Sequence, residues 1–311
     1  MIVSLLLIFL LLPLHTKAEE AIEEQPTLTI VKRFDTNQKK ISDKVIEFAS
    51  WLDSFFAEDW EYEETGKNYI KLNLIQTLRE KQKPLYTSSL KTKITLPNTQ
   101  EKLNLLFESE APETADTGQE ESLTAAVENQ DQVLGLQYIP TQNEVWRVHA
   151  DTGIRFHDGI DPFARLRIRR RIPFDSWNIR LIETLFWYDS QGAGETSEMD
   201  INWPLTNKLL FRSNTYATWK KDTEYFDLGQ NFYLFHNISK IRVFSYQAGV
   251  TGISEPNTDA TNYVLSLRMR QRIHKDWLYF EINPRIDYPE ETNYRPDRSL
   301  SFRLEIIFGA T

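Results

Sequence analysis

The stretch Phe163-Ala164-Arg165-Leu166-Arg167-Ile168-Arg169-Arg170-Arg171 decides the fold. Ala164, Leu166 and Ile168 alternate with Arg165, Arg167, Arg169 and Arg171, so one face is apolar and the other carries fixed charge. A two-residue period places successive side chains on opposite faces of an extended strand. The same alternation continues in both directions. Upstream, Trp146, Val148, Ala150, Ile154 and Phe156 alternate with Arg147, His149, Asp151 and Arg155, and Ile70-Lys71-Leu72-Asn73-Leu74 and Leu103-Asn104-Leu105-Leu106-Phe107 read the same way. Downstream, Met199, Ile201 and Trp203 stand against Glu198, Asp200 and Asn202, and Leu265, Leu267 and Met269 against Arg268, Arg270 and Arg272. Leu278, Phe280, Ile282 and Ile286 oppose Glu281, Asn283, Arg285 and Asp287, and Leu300 to Phe308 closes the chain with Arg303 and Glu305 on the polar face.

With the weaker segments between them, these make about fourteen strands, or twelve at the lower count, each near the 9–11 residues that a tilted strand needs to cross a bilayer. Pro97-Asn98-Thr99, Thr206-Asn207-Lys208 and His274-Lys275-Asp276 are tight turns, whereas residues 110–132 are long and polar. A secreted β-sandwich also alternates. The aromatic residues favour a transmembrane barrel, because Trp146, Phe156, Phe163, Trp187, Tyr188, Trp203, Trp219, Tyr263 and Phe308 cluster near strand ends, where amphipathic rings settle at the two headgroup levels. The fold class is therefore an all-β, antiparallel transmembrane β-barrel over residues 68–309.

Ahead of it, Ile2 to Leu14 is an apolar run too short for a spanning helix, and Thr16 and Ala18 are small residues where a signal peptidase reads. Residues 1–18 read as a secretory signal peptide and 19–40 as a polar tether. In 41–57, Ile41, Val45, Phe48, Leu52, Phe55 and Phe56 recur at helical spacing with Ser42 at the first turn, giving a short amphipathic helix. It either packs in a core, lies in a membrane interface or docks at the barrel mouth.

Composition narrows the chemistry. There is no Cys among 311 residues, which removes disulfides, thiolate nucleophiles and Cys-based metal sites. The net charge of -9 argues against nucleic acid as a partner. No glycine-rich phosphate loop, HExxH or EF-hand spacing occurs, so the sequence calls for no cofactor and no metal. The acidic stretch at 108–131, with eight acids and no Lys or Arg, reads as a solvated loop, weak divalent-cation binding being its alternative.

The lumen-facing set predicted from alternation is Arg147, Arg165, Arg167, Arg169, Arg171, Glu198, Asp200, Arg268, Arg270, Arg272, Glu281, Arg303 and Glu305. Its arginines either tie strands together through carboxylates or attract small anionic solutes, as rings of Arg do in pores. One cluster carries acid–base chemistry on paper: His149, Asp151, His157, Asp158 and Asp161, placed at an outer rim, would make a hydrolase. No Ser is near it in sequence, and His157-Asp158-Gly159 is turn chemistry.

Trp51-Leu52-Asp53-Ser54-Phe55-Phe56, Asp161-Pro162-Phe163-Ala164-Arg165, Leu185-Phe186-Trp187-Tyr188, Ile273-His274-Lys275-Asp276-Trp277-Leu278-Tyr279-Phe280-Glu281 and Phe302-Arg303-Leu304-Glu305 resemble segments of uncharacterised outer-membrane β-barrel proteins of Gram-negative bacteria. The resemblance spans roughly residues 41–309. It implies the barrel fold, residence in the outer membrane after signal-peptide removal, and outer-membrane lipid and barrel-assembly machinery as partners, and it transfers no catalytic residues.

Overall fold

The computed structural model describes residues 55, 68–80, 82–96, 102–109, 132–143, 145–156 and 159–309. The leader, the tether, the acidic loop beyond Ser109 and all of the helix expected over 41–57 except Phe55, which is helical, lie outside the described residues.

Fourteen strands close into one antiparallel barrel in chain order. They are β1 (Tyr69–Arg79), β2 (Leu85–Thr95), β3 (Leu103–Glu108), β4 (Gln132–Gln142), β5 (Trp146–Phe156), β6 (Ile160–Pro173) and β7 (Asn178–Tyr188). After them come β8 (Gly192–Pro204), β9 (Leu209–Lys220), β10 (Phe226–Ser239), β11 (Arg242–Ile253), β12 (Asp259–His274), β13 (Leu278–Pro289) and β14 (Asp297–Phe308). β1 pairs with β14 from Ile70 opposite Phe308 to Arg79 opposite Ser299. An even number of antiparallel strands lets first and last meet in the correct sense, so among the described residues every strand has a neighbour on both sides. Glu108 belongs to β3 and faces inward, so the acidic loop begins one residue later than the sequence suggested.

β1 begins and β14 ends at one rim, here the entry rim. The connections 143–145, 174–177, 205–208, 240–241 and 275–277 are all at that rim, and the acidic loop is at the other. Apart from it, the far-rim connections 80–84, 157–159, 189–191, 221–225, 254–258 and 290–296 are also short. The asymmetry of turns and loops thus rests on a single loop.

Parity holds along the strongly patterned strands. Outward on β5 and β6 lie Trp146, Val148, Ile154, Leu166 and Ile168, while Arg147, His149, Asp151, Arg155, Asp161, Arg165 and Arg167 are inward and buried. Outward aromatics occupy both ends: Phe156, Trp187, Trp219 and Tyr263 near the far rim, Trp146, Trp203 and Phe308 near the entry rim. Two residues assigned to these girdles belong elsewhere. Phe163 and Tyr188 face the lumen, where their rings stack at 5.9 Å within a cluster that includes Val133 and Phe186. The room is local: Phe163 is opposite Gly153, a Cβ on Gly135 would lie 3.3 Å from the Phe163 ring, and Phe186 of the same cluster is opposite Gly194. Glycine in a strand opens room for an inward aromatic side chain.

Candidate functional site

The lumen is lined by charged rungs that the strand register sets. Near the far rim, Arg155 donates from Nε and a terminal nitrogen to Asp161 Oδ2 at 2.9 and 2.5 Å. The Ser190 hydroxyl and N–H also donate to Asp161, at 2.8 and 2.9 Å, and the Arg155 guanidinium lies 4.0 Å from the Tyr188 ring centre. One rung lower, Arg165 donates to Asp151 Oδ2 at 2.9 and 2.7 Å. Arginine suits this work because its planar fork matches a carboxylate and its charge is weakly hydrated.

Toward the entry rim of the same wall the rungs change sign. Arg147 is opposite Arg169, His149 opposite Arg167, and Arg171 opposite Arg180. On β1 and β2, Lys71 is opposite Lys91. Like charges placed directly across a strand pair oppose pairing, so the Arg–Arg and Lys–Lys rungs carry a cost that their surroundings offset.

Other parts of the wall carry carboxylate bridges. Arg180 binds Asp200, and the Asn214 amide donates to both Glu198 and Asp200 at 2.8 Å. Arg270, fully buried, donates to Glu281 and, at 2.5 Å, to Glu305, and its guanidinium lies 4.3 Å from the Tyr279 ring centre. Glu281 also faces Arg303 at 3.5 Å.

Of the residues singled out by alternation, Arg147, Arg165, Arg167, Glu198, Asp200, Arg270, Glu281 and Glu305 are inward and buried, while Arg169, Arg171, Arg268 and Arg303 are inward and half-buried. Arg272 is drawn to the entry rim, where it binds Asp276 and the Lys240 carbonyl. Sequence reading put Lys71 on a polar face without adding it to the lumen set and missed Lys91 and Lys93; all three are buried and inward. In β2, Ser88 and Thr92 stand on the outer face and Thr87 and Ser89 on the inner, which erases the contrast between faces; the spacing of Lys91 and Lys93 was the one usable signal.

The acid–base cluster does not assemble into one site among the described residues. His149 Nε2 is 3.8 Å from Asp151 Oδ2. Asp161 stands opposite Arg155 and His149 opposite Arg167, a separation of roughly 20 Å at about 3.3 Å per residue. Asp161 and Asp151 are each engaged by an arginine, and His157 and Asp158 lie outside the described residues.

The fold is that of known outer-membrane barrels. It is similar to a loop L8 deletion mutant of OmpT, an outer membrane protein of Vibrio cholerae, with a TM-score of 0.50 and 7% identity over 78% of this chain and 98% of that one. It is also similar to the outer membrane channel DcaP of Acinetobacter baumannii, with a TM-score of 0.47 and 6% identity over 78% and 96%. A third similar structure is the NanC porin, with a TM-score of 0.41 and 9% identity over 76% and 98%. The resemblance read from the sequence is thus met at the level of fold. No protein-family model and no curated protein matches the chain.

Proposed function

We propose that this protein is an outer-membrane pore for small solutes, with a preference for anions set by its lumen. The observation that carries the reading is the pair of opposed cation rungs, Arg147 with Arg169 and Lys71 with Lys91, on the inward face of a closed barrel. Fixed positive charge between low-dielectric walls concentrates anions. The bridges Arg165 with Asp151 and Arg270 with Glu281 and Glu305 neutralise other parts of the wall. The preference is therefore modest and falls with ionic strength, since exposed charges are screened within about 8 Å at physiological salt.

Reversal potentials in a KCl gradient across a planar bilayer measure it. Chloride is expected to permeate better than potassium, and replacing Arg147, Arg169 and Arg171 with Gln is expected to reduce that ratio. Cation selectivity in the parent protein would refute the reading.

The outward apolar face and its aromatic ends support residence in the outer membrane. The mature chain is expected to fractionate with outer membranes and to run faster on gels when left unheated, because a closed barrel resists detergent unfolding. Recovery from the periplasm as a soluble protein would overturn the location.

A further inference from the structure

An apolar pad interrupts the polar lumen at the entry rim. Leu210, Phe235, Val243, Tyr279 and Ile307 come from β9, β10, β11, β13 and β14, all face inward, and are at most 6% exposed. Apolar side chains lining a water-filled lumen are unfavourable unless something covers them. Here the cover is visible. Phe55, from the chain before β1, packs into the pad and is 5% exposed, with its ring edge-on to Tyr279 at 6.0 Å and 88°.

The surroundings fix the pad in place. Tyr279 lies under the guanidinium of Arg270, which Glu281 and Glu305 hold from two strands. Phe235 lies 5.3 Å from the guanidinium of Arg212, which donates to Asn202 at 2.7 Å. Two arginines that are themselves bound thus frame the apolar surface, and a charged or small residue at position 55 would leave that surface wet.

We propose that this pad is an internal docking site for Phe55, whose ring, held against the lumen wall, narrows the entry rim. The narrowing rests on the pore reading above; the docking does not.

Because the chain contains no Cys, Leu210→Cys, which keeps Phe55, introduces the sole thiol of the protein into the pad that Phe55 covers. In the folded, full-length protein that thiol is expected to react with a charged maleimide at least about tenfold more slowly than the thiol of Asp276→Cys at the same rim, since only local opening exposes it. Equal rates would overturn the docking. In a planar bilayer, Phe55→Asp, which cannot stay in the apolar pad, is expected to raise single-channel conductance above that of the parent, while Phe55→Leu keeps the parental value. A conducting parent with unchanged Phe55→Asp currents would overturn the narrowing. If neither protein conducts, the pore reading fails, and the labelling rates alone decide the docking.

Discussion

Replacing Arg270 with Met will destabilise the barrel by about 3–5 kcal/mol, the usual cost of stripping one member from a buried ion network. Arg270 is completely buried, and Glu281 and Glu305 converge on it from β13 and β14. Without it two carboxylates are left close together, desolvated and without their shared donor. Met fills much of the arginine's volume, so the loss is electrostatic and not a cavity. Adding Glu281→Gln and Glu305→Gln to Arg270→Met is expected to restore most of the stability, because the repulsion disappears with the charges. By contrast, Arg272→Met breaks a rim pair with Asp276, whose side chain is 73% exposed, and such pairs contribute at most about 1 kcal/mol. Unfolding midpoints in guanidinium, followed by the gel shift on heating, measure all three variants. Equal shifts for Arg270→Met and Arg272→Met would mean that the lumen is wet enough to screen Arg270 as fully as a surface residue.

How much of this was legible in the sequence depended on the contrast between the two faces of each strand. In β5, β6, β12, β13 and β14, charged residues alternate with Leu, Ile, Met and Phe, and there the sequence alone fixes which residues point inward. In β9 and β10 both faces mix aromatic and small polar residues: Phe211, Ser213 and Thr215 outward against Arg212, Asn214 and Tyr216 inward. Periodicity in hydrophobicity cannot separate those faces. Arg170 shows a different limit. It breaks the alternation by facing outward, and its guanidinium lies 5.0 Å from the ring centre of Trp146, its cross-strand partner. A cation near a strand end does this because an aromatic face offsets part of its desolvation.

Partners were the least legible part. Alternation identifies Arg270 and Glu305 as inward residues, but they lie 35 positions apart and on strands that are not adjacent. The β12–β13–β14 meander brings them together across β13. The same applies to Phe55: its helical spacing was readable, but the pad that receives it is spread over five strands from β9 to β14. The grouping of His149 with Asp161 failed for the converse reason. Proximity in sequence across a hairpin becomes distance along the ladder when one residue sits beside the turn, as Asp161 does, and the other far along its strand, as His149 does.

Changing Leu166 to Arg will impair assembly far more than changing its neighbour Arg167 to Gln. Leu166 faces outward near the middle of β6, between Ala150 of β5 and Leu185 of β7, and Arg167 faces the lumen. If the outer face meets lipid, an arginine at mid-membrane costs about 2–4 kcal/mol, and the side chain is too far from either rim for its charge to reach headgroups easily. Arg170, close to the entry rim beside Trp146, escapes that cost, so Arg170→Leu is expected to be nearly neutral. Gln at 167 keeps hydrogen-bonding capacity on the inward face opposite His149. Ile168→Arg should behave like Leu166→Arg, and the fraction of protein reaching the heat-modifiable form in membranes is the quantity to compare. Equal yields from Leu166→Arg and Arg167→Gln would mean that the outer face does not contact lipid at this height, and the membrane assignment would fall even though the barrel itself would stand.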